Sequence, residues 1–386
     1  MKSGKNFTNE LIRIINGALL LDIDKVRNYT AFLADNLEKD GDSVMAKRLR
    51  KMLDETDTQL RPAKMTFNGS LPVDGDSRFQ LLERVNLSQP DFKIFLAENQ
   101  WDVVNEYLSV TKSYGLLEAQ GIAGSISLLM QGPPGTGKSH LARYIARALG
   151  LELYIARLDG VISSFLGNTS KNIRALFEFA SKTPCILFLD EFDAIAKLRG
   201  DSQELGELKR VVNSFIQNLD TLGTQSLVIA ATNHDELLDS AIWRRFGYRL
   251  KFDYPKKEVR QEMWAEFLQP VEFDDKEIQI LTDLSEGYSG SDIKEVCSRI
   301  HRRKISMNID PTLKDAFKVL LNLGIGEGEE RRFLSSINIS DADAAFRTLK
   351  DRDPKLYSAP YLAKIFGVSK ATVYRKSQKK NRKENE

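Results

Sequence analysis

The octet Gly132-Pro133-Pro134-Gly135-Thr136-Gly137-Lys138-Ser139 constrains the fold more than any other stretch of this chain. It satisfies G-x-x-x-x-G-K-[ST], a spacing in which glycines let successive main-chain N–H groups turn inward around an anion, and it works only between a strand and a helix. Both flanks are present: Ile126–Met130 reads as a short buried strand, and His140–Leu149 has helical periodicity. The helix presents the positive end of its dipole to the same anion. The loop therefore implies binding of ATP or GTP, with Lys138 on the β- and γ-phosphates and Ser139 on Mg²⁺.

Around this loop the chain alternates strand and helix from Ser125 to Pro255. Strands are expected at Leu153–Leu158, Cys185–Leu189, Ser226–Ala231 and Leu250–Phe252, and helices at Ser170–Ser181 and Gln203–Leu219. Such alternation predicts an α/β fold, a parallel-sheet P-loop NTPase core with helices on both faces. The following segment is helical and reads as a lid. The domains expected are an N-terminal helical bundle over 1–58, a turn-rich linker over 59–89, the α/β domain over 90–255 with a helix from about Pro90 to Gly115, a helical lid and extension over 256–350, and a helix-turn-helix with a basic tail over 351–386.

Lys and Arg number 56 against 54 Asp and Glu, so no global charge bias points to nucleic acid or anionic lipid. The cysteines, Cys185 and Cys297, offer neither a disulfide framework nor zinc spacing, and a reducing cytoplasm fits. No apolar run reaches the ~20 residues that span a bilayer, so no membrane partner is expected.

Hydrolysis requires more than a phosphate loop. The apolar strand Cys185–Leu189 ends in Asp190-Glu191, at the strand end that faces the ligand crevice. Asp190 would hold the Mg²⁺ water shell, and Glu191 would take a proton from the attacking water. Asn233, after the next strand, could orient that water. Arg244 and Arg245 suit insertion into a neighbouring protomer's site, where a guanidinium stabilises the transferred phosphoryl by roughly 10³ to 10⁵ in rate.

These motifs resemble an AAA+ ATPase module of the AAA clade proper, the katanin and spastin type, over Leu129 to about Arg303. The octet is similar to its Walker A form, Leu189–Ala196 to its Walker B block, and Ala230–Asn233 with Leu238–Phe246 to its second region of homology. The resemblance implies that Asn233 is sensor 1, that Arg244 and Arg245 are trans-acting arginine fingers, and that Gly287–Ile293 is the sensor 2 stretch, with Ser291 where alanine is common. It puts Phe165, in Ser164-Phe165-Leu166-Gly167, on a pore loop that grips a threaded polypeptide. The upstream stretch that touches adenine in the family is not recognisable, which leaves the adenine pocket unassigned.

At the C-terminus, Tyr361–Lys376 resembles a helix-turn-helix of the resolvase and invertase kind. Pro360 starts the first helix, Gly367 makes the turn and Ser369 caps the second. Lys370, Ala371, Thr372 and Arg375 would face DNA, and from Lys370 onward seven basic and two acidic residues give a net charge of +5. The N-terminal pattern is similar to a microtubule-interacting-and-transport type of adaptor that recruits a protein partner. Together these features predict a homo-oligomeric ring, a hexamer, that hydrolyses ATP between subunits to remodel or unfold a protein partner. The alternative is a DNA-directed ATP switch that recruits another protein.

Overall fold

Two apolar runs, Cys185–Leu189 and Leu227–Ala231, are too short for helices and too apolar for a half-exposed sheet. They become the fully buried centre of a six-stranded sheet. The computed structural model describes residues 11, 14–15, 23–55, 71–74, 78, 80–87, 93–158, 166–194, 205–222, 226–234, 236, 238, 240–323, 337 and 342–378. The strands are β1 (Glu83–Arg84), β2 (Leu128–Gln131), β3 (Glu152–Arg157), β4 (Cys185–Asp190), β5 (Leu227–Thr232) and β6 (Tyr248–Lys251), arranged β1-β3-β4-β5-β2-β6. Pairing from β3 to β6 is parallel. To the parallel-sheet core expected from the alternation the fold adds one antiparallel edge, where β1 pairs with β3. Its two residues carry no apolar pattern; backbone pairing and a bidentate Arg84–Glu152 ion pair at 2.8 and 2.9 Å hold it.

Side chains alternate across the sheet with the period of a strand, which divides the core in two. Leu187, Leu189, Val228 and Ala230 face α6 (Leu166–Lys182) and α7 (Leu205–Thr221). Ile186, Phe188, Ile229 and Ala231 face α3 (Glu98–Lys112) and α5 (Lys138–Leu149). Part of the segment expected as linker over 59–89 packs with the α/β domain. Leu81 and Leu82 belong to the first core layer, and buried Asp74 accepts a 2.7 Å hydrogen bond from Asn172. The helix expected from Pro90 begins only at Glu98, and a second short helix, α4 (Tyr114–Ala119), follows Ser113. Residues 93–97 form a non-helical strap, closed by the Gln100 side chain accepting from the Ala97 N–H.

A single helical turn, α8 (Ser240–Trp243), leads into β6. Beyond β6 the lid comprises α9 (Lys257–Phe267), α10 (Asp275–Leu284), α11 (Gly290–Met307) and α12 (Leu313–Leu323), followed by α13 (Ala342–Arg352), α14 (Ala359–Phe366) and α15 (Lys370–Gln378). One hydrophobic core runs through all of them, from Met263 and Trp264 to Leu362, Ile365 and Val373. The boundary expected at 351 therefore does not separate two bodies. Phe366 packs edge-on against both Phe317 and Phe346. Arg352 bridges Asp283 and Glu286 at 2.8 and 2.7 Å, and the buried Tyr357 hydroxyl donates to Asp283 at 2.6 Å. Pro360 sits in the first turn of α14, Gly367 caps it at φ 65°, and the Ser369 hydroxyl accepts from the Thr372 N–H, as read from sequence.

At the other end α1 (Ile23–Lys39) and α2 (Ser43–Glu55) pair across a tight turn. Leu33, Ala34 and Ala46 are buried, and Arg50 bridges Asp35 and Glu38. Of the bundle expected over 1–58, residues 1–10, 12–13, 16–22 and 56–58 lie outside the described residues.

Candidate active site

Strand register determines what meets at the C-terminal edge of the sheet. Gln131 pairs with Thr232 and Leu189 with Ala230, so the phosphate loop, Asn233 and the Asp190-Glu191 pair all emerge at one edge. Backbone contacts tie these exits together. Gly132 N–H donates to the Thr232 carbonyl at 3.2 Å, and Phe192 N–H to Ala231 at 2.8 Å. Gly132 (φ 141°) lies so close to β6 that a Cβ there would collide with the Phe252 carbonyl. Glu191 takes a left-handed conformation, φ 52°, which few non-glycine residues adopt and which costs of order 1–3 kcal/mol. The kink ends β4 abruptly and leaves the Glu191 side chain exposed at the cleft.

Lys138 is buried beneath the loop. Its ammonium has three N–H donors, and it meets three acceptors: the carbonyls of Gly132 (2.6 Å) and Pro133 (2.8 Å) and the Asn233 side-chain oxygen (2.8 Å). Burial pulls its pKa down to about 8, with Asp190 and Asp193 acting in the opposite direction. Thr136 closes the loop by donating its hydroxyl to the Pro133 carbonyl.

A cleft of about 330 Å³ collects Pro134, Gly135, Thr136, Gly137, Lys138 and Ser139 with Asp190, Glu191 and Asn233. Gly132 and Pro133 lie behind it, holding Lys138. Its far end is apolar, walled by Ile94, Phe95 and Leu96 of the strap, by Phe252, and by Met263 and Phe267 of the lid. Phe95 meets Phe267 edge-on at 5.5 Å, so strap and lid close together over this end. That end of the cleft offers apolar side chains to a ligand, where sequence left the adenine pocket unassigned. The apolar triplet Ile94-Phe95-Leu96 was a usable signal, masked by its assignment to a helix.

The lid reaches the loop directly. Ser289 caps α11 in a capping box with Asp292, and the Ser291 N–H donates to the Gly135 carbonyl at 3.1 Å. A Cβ on Gly135 (φ 76°) would overlap the Ser289 hydroxyl. Lys294, one turn along α11, also lines the cleft, its pKa lowered by burial and then by Arg143. Sequence reading passed over this second cation.

Arg244 and Arg245 stand apart from their own chain's cleft. They line a separate groove with Asp220, to which Arg245 is paired at 3.3 Å. Lys370 and Arg375 are exposed on α15, while the Thr372 hydroxyl is engaged with Ser369 at 2.9 Å. Phe165 lies outside the described residues.

The family model for the ATPase family associated with various cellular activities (AAA) matches residues 128–254. An uncharacterised AAA family ATPase, y4kL, of Sinorhizobium fredii is 37% identical over 284 residues, covering 70% of this chain and 84% of that protein. A putative 26S proteasome regulatory subunit homologue of Methanothermobacter marburgensis is 36% identical over 173 residues, covering 44% and 46% of the two chains. The vacuolar protein sorting-associated protein 4 of Dictyostelium discoideum is 36% identical over 172 residues, covering 43% and 38%. The chain thus spans most of the first of these relatives and less than half the length of the other two. No described helix is long and apolar enough to cross a membrane. With a phosphate loop, paired carboxylates and an asparagine gathered at one sheet edge beneath a helical lid, and with this similarity along most of a relative's length, the chain belongs to the AAA family of ATPases.

Proposed function

We propose that the chain assembles into a ring, a hexamer, that hydrolyses ATP at the interfaces between protomers and uses the cycle to remodel or unfold a protein partner. One observation carries this reading: Lys138, Asp190, Glu191 and Asn233 line one cleft, whereas Arg244 and Arg245 do not. A cleft equipped for the nucleotide but without either candidate finger arginine of its own chain is one that a neighbour can complete.

Adenine occupies the apolar end between strap and lid. Lys138 exchanges its backbone acceptors for the β- and γ-phosphates. The Ser139 hydroxyl and the Asp190 carboxylate are hard oxygen donors, at intermediate burial in the same cleft, and fit Mg²⁺ that keeps water and phosphate ligands. Held by Ser139 and Asp190, Mg²⁺ would supply positive charge against the charge that develops on phosphate. Glu191 accepts the proton of the attacking water, and Asn233 orients that water. The similarity to a proteasome regulatory homologue and to a protein associated with vacuolar protein sorting supports a protein substrate; the grip at Phe165 is part of the proposal and rests on sequence position.

A second reading, a DNA-directed switch, is favoured by the exposed Lys370 and Arg375 on α15. The ATPase rate with and without unfolded casein or double-stranded DNA, in wild type and Phe165→Ala, separates the two. Stimulation by casein that Phe165→Ala abolishes is the expected result. Stimulation by DNA alone, indifferent to Phe165, would replace remodelling with the switch.

A further inference from the structure

Asp193 follows the two cleft carboxylates and is nearly fully buried, with 3% of its surface exposed. An ionised carboxylate in such a place is costly unless its lone pairs are used. Its Oδ1 accepts from the Thr232 hydroxyl at 3.3 Å and from the Asn233 backbone N–H at 3.3 Å. Thr232 is itself held, since its hydroxyl also accepts from the His234 N–H at 3.1 Å. The Glu191 kink delivers Asp193 to this position: with Phe192 N–H fixed to Ala231 and Ala194 N–H to the Glu191 carbonyl at 2.9 Å, residue 193 turns back under the end of β5.

From this geometry we infer that Asp193 is a positioning residue that fixes Asn233 relative to Glu191, and so sets the gap in which the attacking water is oriented. Two strands end at this gap, β4 with Glu191 and β5 with Asn233. Beyond the last ladder pair, Leu189 with Ala230, the bond from Phe192 N–H to the Ala231 carbonyl is one tie between the strand exits. Asp193 supplies two further ties, on the Asn233 side. Asn233 cannot rotate about its own backbone without breaking the bond from its N–H to Asp193. Its side-chain oxygen therefore stays on the Lys138 side of the cleft, where the 2.8 Å contact places it. Asp193 does not line the cleft and so touches no reacting atom.

The inference rests on the proposed role of Asn233, and its test separates the two. Steady-state ATP hydrolysis is measured for the full chain and for Asn233→Ala, Asp193→Ala, Asp193→Asn and Thr232→Val, with nucleotide affinity read by a fluorescent ADP analogue. Asp193→Ala is expected to lower kcat about ten-fold or more with KM and ADP affinity within about three-fold, because alignment in the transition state is lost while binding is kept. Asp193→Asn keeps an acceptor oxygen in the same place and should recover most of that loss. Thr232→Val, which removes one tie and is nearly isosteric, gives an intermediate kcat even if Asp193→Ala fails to fold. A wild-type rate in Asn233→Ala would sink the role of Asn233 itself. A slow Asn233→Ala beside wild-type rates in Asp193→Ala or Thr232→Val, or an Asp193→Asn variant as impaired as the alanine, would overturn the positioning role alone.

Discussion

Exchanging the backbone acceptors of Lys138 for phosphate oxygens changes the cost of holding its proton. In the free site the ammonium is buried against two carbonyls and an amide, none of them charged, and its pKa falls to about 8. Against phosphates the charged form is favoured, so binding takes up a proton wherever the free site has lost one. The depressed pKa belongs to the free state, so affinity is full below about pH 8 and declines as pH rises through it. At pH 9 ATP should bind about ten-fold more weakly than at pH 7, one unit past that pKa. Titrating a fluorescent ATP analogue at both values checks this; an unchanged affinity would place the free ammonium's pKa well above 9. Lys138→Ala should not bind measurably. Glu191 offers a test of strain on the same cleft. Alanine keeps the Cβ that disfavours φ 52°, whereas glycine does not. Both variants should lose hydrolysis, yet Glu191→Gly should be more stable than Glu191→Ala by about 1 kcal/mol in denaturant unfolding. Equal stabilities would mean that the kink carries no strain.

At the scale of elements, the lid and the C-terminal helices share one core, which alters what a truncation can mean. Treated as an appendage, residues 358–386 could be removed without affecting hydrolysis. In the fold, their removal strips Leu362, Ala363, Ile365 and Val373 from the core that supports α10 and α11, and α11 touches the phosphate loop through Ser291. Deletion from 358 should therefore lower both thermal stability and basal ATPase rate. Leu362→Ala alone should cost about 2–5 kcal/mol, the usual toll for a fully buried leucine. Lys370→Glu with Arg375→Glu, on the exposed side of α15, should leave stability unchanged. A truncated chain with wild-type melting and turnover would restore the independent-domain view. The helices themselves were legible because capping and turn chemistry are local: Pro360, Gly367 and Ser369 all occupy the positions their residue types imply. Their docking was not legible, because an apolar stripe on a short helix shows that something covers it without saying what. For the same reason β1, held by backbone pairing and one ion pair, left no trace in the apolar pattern.

Across the whole molecule, what sequence revealed was the set of residues that act through fixed local spacing: the Gly132–Ser139 loop, Asp190-Glu191 at a strand end, and Asn233 at the next. All are gathered at one sheet edge. The apolar end of the cleft was hidden because its walls come from chain segments far apart in sequence, Ile94 to Leu96 and Met263 to Phe267, which no spacing rule connects. Arg244 and Arg245 pose the same problem between molecules. Within one chain Arg245 pairs with Asp220 and both arginines line a groove of their own, apart from the cleft. If the site is completed across an interface, two dead protomers can make a live one. Lys138→Ala protomers lack the loop cation but keep both arginines; protomers with Arg244→Ala and Arg245→Ala keep the loop and lack the fingers. In a ring mixed at random in equal parts, roughly one interface in four places the intact loop against the intact arginines. Each homogeneous variant should hydrolyse ATP at least 10³-fold more slowly than wild type, roughly the lower end of what a finger contributes. The mixture should recover up to about a quarter of the wild-type rate, with a dependence on mixing ratio that peaks at equal parts. Recovery that peaks there requires a site shared by two chains. A mixture no faster than its components, at a concentration where wild type is fully assembled, would return the arginines to their own protomer.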